Sequence, residues 1–228
     1  MDLRTLKNLS DTAIAKHSAA IIAPRRHLQA SLKPAKREVV GLVGPRGAGK
    51  TTAMLELAKN IDSVFYMSLD VLAPSTDLFQ LIQDVHTTYR PKVLLLDEVH
   101  FFPNINQTLK NIYDFLDVQL YFSSSIALAM HQSRIDLARR ATIIDVHYFS
   151  FLEATQKKLG AEIHAMPISH IFEGNQPPHL LNHDGEFAGY ITGAICPFID
   201  TVINMPATLR NIIKKIIESD LTGLSPIA

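Results

Sequence analysis

Three observations predict an α/β fold built on a parallel sheet. A short apolar run, Val39-Val40-Gly41-Leu42-Val43, feeds directly into Gly44-Pro45-Arg46-Gly47-Ala48-Gly49-Lys50-Thr51. A second run, Val93 to Leu96, ends in Asp97-Glu98. Around these two, β-branched and aromatic stretches alternate with helical spacing as far as residue 150, the pattern of strands joined by helical crossovers.

The stretch from Gly44 fits the phosphate-loop pattern G-x-x-x-x-G-K-[ST] at every fixed position. Glycine opens backbone dihedrals closed to other residues, so successive N–H groups can turn inward on a polyphosphate. The helix that follows aims its N-terminus at the same charge. Gly44, Pro45, Arg46, Gly47, Ala48, Gly49, Lys50, Thr51 and Thr52 are therefore the expected nucleotide contacts. Lys50 is expected to neutralise the β- and γ-phosphates, and the Thr51 hydroxyl to ligate Mg²⁺.

In chain order, residues 9–32 read as a helix interrupted near Pro24. Arg25, Arg26 and His27 follow that break, either as a solvated basic face or as a segment over the nucleotide. Residues 33–37 form a polar linker into the first strand. After the loop, Met54, Leu55 and Ala58 give a helical apolar face. Residues 63–69 read as a second strand. Ser75-Thr76-Asp77 starts a helix carrying Leu78, Leu81, Ile82 and Val85, closed by Arg90-Pro91.

Four consecutive apolar residues, Val93 to Leu96, suit a parallel strand buried on both faces. Asp97 and Glu98 come at its carboxyl end, where open α/β sheets place ligands. Asp97 is expected to hold Mg²⁺ and Glu98 to polarise an attacking water. Asp97 follows Lys50 by 47 residues, with a strand–helix unit between. His100 makes the stretch look like the D-E-x-H box of helicases, but only 128 residues follow it and a second motor domain does not fit.

Residues 103–116 read as a helix and 118–122 as a fourth strand. One of Ser123, Ser124 and Ser125 is expected either to sense the γ-phosphate or to cap the next helix, 126–137. Arg139-Arg140 precedes a fifth strand, 141–146. These arginines could stabilise transition-state charge or stand solvated at a helix end. From Ser150 the alternation stops. Residues 151–159 and 205–221 are helical, the latter with a stripe of Leu209, Ile212, Ile213, Ile216 and Ile217, read most simply as core and more sharply as a partner face. The expected division is a nucleotide-binding core over 1–150 and a small helical part over 151–228.

Composition bounds the partners. The 228 residues are 47% hydrophobic, and 22 basic residues balance 22 acidic ones. The balance gives no broad electrostatic footprint for nucleic acid or a membrane surface. One cysteine, Cys196, forbids an intrachain disulfide and points to a reducing, cytoplasmic setting. His179, His183 and Cys196 lack the further cysteine of a zinc set, so no metal besides Mg²⁺ is expected. No N/T-K-x-D guanine-reading sequence occurs, which favours adenine.

Gly44 to Thr52, Phe65-Tyr66-Met67-Ser68-Leu69-Asp70, Leu94 to Phe101, Leu137 to Ala141 and Ser150 to Glu153 together resemble the prokaryotic AAA-type (AAA+) ATPases. Within these the similarity is to a poorly characterised group that usually carries an extra C-terminal domain. The resemblance implies a P-loop NTPase fold: a five-stranded parallel sheet with helices on both faces, the Asp97 strand central, the sensor strand beside the phosphate-loop strand, and a C-terminal helical lid. It selects Ser124 as sensor and Arg140 as the finger, although relatives have Thr-Gly-Ser-Ser where this chain has Phe122-Ser123-Ser124-Ser125, and a small residue where it has Arg139. The function expected is Mg²⁺-dependent ATP hydrolysis, slow, in a homo-oligomer acting on an unknown protein client. The alternatives are a nucleotide-dependent switch with negligible turnover, or a small-molecule kinase with Arg134, Arg139 and Arg140 as lid residues.

Overall fold

Alternation of strand residues between two faces decides the architecture. The computed structural model describes residues 2–18, 32, 39–59, 61–125, 140–160, 169, 172–174, 184–198 and 202–221. Strands β1 (Val39–Val43), β2 (Val64–Ser68), β3 (Val93–Asp97), β4 (Gln119–Ser124) and β5 (Ala141–Asp145) form one parallel sheet in the order β2-β3-β4-β1-β5. The sensor strand β4 lies beside β1, as expected. It also takes the middle position, so the Asp97 strand is interior but one place off centre.

β1 and β3 are buried at all five positions, the consequence of apolar runs covered on both faces. On one face Val39, Val43, Leu94, Leu96 and Phe122 pack under α3 (Leu78–Tyr89) and α4 (Ile105–Phe115) through Ile82, Val85, Leu109 and Ile112. On the other, Val40, Leu42, Leu95 and Tyr121 pack under α2 (Lys50–Ala58) through Ala53, Met54 and Leu57. Asp77 caps α3 by accepting from the Gln80 N–H at 3.0 Å, and Arg90 closes it in the left-handed region.

Helix α1 spans Leu3–Ser18 and starts six residues before the expected position, because Asp2 caps it: its carboxylate accepts from Thr5 N–H at 2.7 Å. Residues 19–31, with Pro24, Arg25, Arg26 and His27, lie outside the described residues, as does the expected helix over 126–137. α1 closes the open edge of the sheet. The Ser10 hydroxyl accepts from Tyr66 N–H of edge strand β2 at 2.9 Å, satisfying a donor that would otherwise invite another strand.

After β5, helix α5 (Phe151–Leu159) begins with a Ser150–Glu153 capping box. Helix α6 (Asp184–Gly189) runs into a π turn, Tyr190–Ala194. The chain then returns to the core: Phe149 N–H donates to Ile195 O at 2.9 Å, Tyr190 Oη to Phe149 O at 2.8 Å, and Lys157 Nζ to Pro197 O at 2.8 Å. Helix α7 (Met205–Lys215) is capped by Asn204 and continues as a π turn to Leu221. Its apolar stripe is not core: no residue of Met205–Lys215 is buried, and Ile213 and Ile217 are each 55% exposed.

Candidate active site

The carboxyl ends of β1, β3 and β4 lie side by side, and each delivers part of one cluster. β1 runs into the phosphate loop. Gly47 and Gly49 sit at φ +78° and +88°, the left-handed region the loop needs for inward-pointing N–H groups. A Cβ on Gly44 would lie 2.0 Å from the Val146 carbonyl oxygen. Ala48 is fully buried, and Tyr148 Oη donates to Arg46 O at 3.0 Å, tying the loop to the chain after β5. Gly49 precedes α2 and offers no capping side chain, leaving the first N–H groups of that helix directed at the loop. Lys50 is 5% exposed, with Nζ on the carbonyl oxygens of Gly44 at 2.8 Å and Pro45 at 2.9 Å. Thr51 and Thr52 follow in the first turn of α2.

The turn at residues 195–198 rests on this loop. A Cβ on Gly47 would fall 2.4 Å from Cε1 of Phe198. Gly47→Ala combines that overlap with a left-handed backbone and is expected to cost about 1–3 kcal/mol, read from the urea midpoint. In the double variant with Phe198→Ala the loss is expected to be smaller than the sum, since the steric part is shared.

β3 brings Asp97, 3% exposed. Its Oδ2 accepts from Thr51 Oγ1 at 2.7 Å and from Tyr66 Oη at 2.9 Å, and the Ser123 hydroxyl donates to its Oδ1. The Glu98 N–H lies 3.0 Å from Ser123 Oγ and 3.2 Å from Asp97 Oδ1. Burial first, and then the Asp97 charge, push the Tyr66 phenol well above its ordinary range, so it remains a donor. Tyr66→Phe removes one hydrogen bond to a carboxylate and is expected to cost about 1.5–3 kcal/mol in chemical denaturation.

Glu98 sits at φ +53°, a left-handed conformation uncommon outside glycine, and such strain gathers at functional sites. Its carboxyl is held above the usual range by burial and then by the Asp97 charge, against the opposing pull of Lys50, the Ser125 hydrogen bond and Arg46. A raised, half-buried carboxylate suits proton abstraction near neutral pH. The Arg46 guanidinium lies 5.9 Å from the Phe101 ring, beside the turn that follows Glu98.

The structure thus brings together Lys50, Thr51, Asp97 and Glu98. Ser124 and Arg140 fall elsewhere. β4 continues through Ser124, two residues past the expected end, and alternation sends Ser123 and Ser125 to Asp97 and Glu98 while Ser124 takes the opposite side. What Ser124 gives the loop is its carbonyl oxygen, which accepts from Gly44 N–H at 3.3 Å. Arg140 precedes β5 at the amino end of the sheet. Ala141 pairs with Val39, whereas the loop begins after Val43, so a strand length of roughly 16 Å intervenes. Arg140 instead meets Asp114, with Nε to Oδ1 at 3.0 Å and Nη2 to Oδ2 at 3.3 Å, and lies over the Tyr113 ring. Arg134, Arg139, His179 and His183 lie outside the described residues.

The donor set fits Mg²⁺. The Thr51 hydroxyl and Asp97 carboxylate present hard oxygens 2.7 Å apart at the mouth of the loop. Among the described residues no group of three or more His, Cys, Asp and Glu side chains gathers to suit another metal, and no helix is long and apolar enough to cross a membrane.

Tyr66, Ser123, Ser125 and His100 are members that sequence reasoning missed or set aside. Pairing of β2 with β3 sets Tyr66 beside Leu95, from where its hydroxyl reaches Asp97, while Ser123 lies near the end of β4 and Ser125 just past it.

The chain is 32% identical over 133 residues to the uncharacterized protein MJ1637 of Methanocaldococcus jannaschii, a match covering 52% of this chain and 28% of that protein. The matched stretch therefore spans little more than a quarter of that relative's length. A solved structure of the S. cerevisiae Hsp104:casein complex in its extended conformation is 16% identical, with a TM-score of 0.47, over 72% of this chain and 33% of that one. The structure of C. elegans PCH-2 is 12% identical, with a TM-score of 0.41, over 96% and 63%. A family model described as "AAA domain" matches residues 36–155, more than half of the chain. The chain belongs to the AAA domain family of nucleotide-binding, ATPase-type proteins.

Proposed function

We propose that the chain binds MgATP and hydrolyses it slowly to ADP and phosphate. The observation that supports this best is the contact of Thr51 with Asp97 at 2.7 Å, with Glu98 next in the chain and Lys50 buried in the loop. Residues Gly44 to Thr52 cradle the phosphates through backbone N–H groups, and Lys50 moves from the loop carbonyls to the β- and γ-phosphates. Thr51 and Asp97 would hold Mg²⁺, which when bound would neutralise charge on those phosphates. Glu98 takes the proton of the attacking water as its oxygen adds to the γ-phosphorus and the bond to the β-phosphate oxygen breaks. The lack of a guanine-reading sequence favours adenine over guanine.

A homo-oligomer acting on a protein client is part of the same proposal. Arg140, paired with Asp114 at the far end of the sheet, is not the finger within one protomer. ATP turnover measured with particle mass, each with and without MgATP, tests the whole. Phosphate release with a larger mass in MgATP supports it. Tight ATP binding without phosphate release replaces hydrolysis with switching, and ADP formed only with an added acceptor, with no matching inorganic phosphate, replaces it with phosphoryl transfer.

A further inference from the structure

The feature that hydrolysis leaves unused is His100. It stands two residues after Glu98, and a 3-10 turn over Val99–Phe101 folds its ring back beside that residue. The turn is closed by Phe101 N–H on Glu98 O at 3.2 Å and Phe102 N–H on Val99 O at 3.1 Å. His100 Nδ1 comes to 3.3 Å from Glu98 Oε2, and the imidazole is only 3% exposed. From the end of β4, the Ser125 hydroxyl donates to the same carboxylate, at 3.0 Å to Oε2 and 3.3 Å to Oε1. Ser125 N–H also approaches His100 Nδ1 at 3.4 Å. Nδ1 carries a proton when it donates to Glu98 and a lone pair when it accepts from Ser125 N–H, so only one of these two bonds forms at a time, and Glu98, His100 and Ser125 form a cluster drawn from two strand ends.

We propose that His100 is a positioning residue: with Ser125, it fixes the Glu98 carboxylate in the orientation from which that group accepts a proton from water. This rests on the hydrolysis reading above. A glutamate side chain turns about three torsions, and a base acts only within hydrogen-bond reach of its proton. The imidazole and the hydroxyl both meet the carboxylate at Oε2 and restrict that freedom. His100 is itself braced, its ring 4.4 Å from the Phe101 ring at 32°. Phe101 in turn lies beneath the Arg46 guanidinium, so the brace reaches back to the phosphate loop. His100 contacts Glu98, the residue assigned to the water, so its loss is expected to act on turnover and spare affinity.

The test compares kcat, KM and ATP affinity in wild type, His100→Leu and His100→Asn. His100→Leu is expected to lower kcat ~10–100-fold, the scale for misplacing a catalytic group by about 1 Å, with KM and Kd within about twofold of wild type. His100→Asn keeps a polar group near the place of Nδ1 and is expected to recover most of the loss. Unchanged or raised kcat in His100→Leu overturns the proposal. So does an equal loss of affinity, or an asparagine variant no better than leucine at the same unfolding midpoint. If His100→Leu does not fold, Ser125→Ala decides: a fall in kcat alone supports the cluster, and unchanged kcat overturns it. Wild-type protein that releases no phosphate overturns the hydrolysis reading itself, whereas wild-type turnover matched by His100→Leu overturns the positioning alone.

Discussion

Glu98→Gln is expected to bind ATP as wild type does and to turn it over at least ~100-fold more slowly, the scale of losing a general base. The substitution keeps size and hydrogen-bonding capacity but removes the proton acceptor. Its neighbours favour that separation. The Glu98 N–H, not its side chain, joins the Asp97–Ser123 network, so the Thr51–Asp97 contact is untouched by the change. Ser125 can still donate to the amide oxygen. Calorimetry with ATP beside a phosphate-release assay reads both halves, and unchanged turnover would remove Glu98 from its assigned role.

Lys50→Ala is expected to raise the Kd for ATP at least ~100-fold, about 2.7 kcal/mol, because a buried cation on a polyphosphate exceeds a single charged hydrogen bond. Lys50 reaches into its own loop, on the carbonyl oxygens of Gly44 and Pro45. Its removal therefore also touches the loop's shape. A thermal midpoint recorded on the same sample separates that effect from the lost charge. Retained affinity in a folded variant counts against phosphate binding at this loop.

The two variants probe the part of the site that was legible from sequence, and the reason it was legible is local. Left-handed backbone at Gly47 and Gly49 demands glycine at fixed spacing, and a strand buried on both faces demands the unbroken run before Asp97. What escaped depends on neighbours distant in the chain. That Ser123 and Ser125, and not Ser124, meet Asp97 and Glu98 depends on the alternation of β4, whose phase at Asp97 is set by pairing and not by the end of an apolar run. Tyr66 read as an ordinary aromatic strand residue, and only pairing of β2 with β3 places its hydroxyl on Asp97. Arg140 precedes β5 as expected, and the direction of that strand puts it at the amino end of the sheet, on Asp114 and away from the loop of its own protomer. The stripe on α7 has helical period in sequence, yet periodicity does not say what covers it, and Ile213 and Ile217 stand half exposed.

The central claim is that this chain transfers the γ-phosphate of ATP to water. The most direct measurement is inorganic phosphate released by the wild-type protein from ATP and Mg²⁺ with no acceptor added. The account predicts phosphate and ADP in equal amounts, and no release when the metal is chelated. ATP left intact while bound, or ADP formed without matching phosphate, would contradict it.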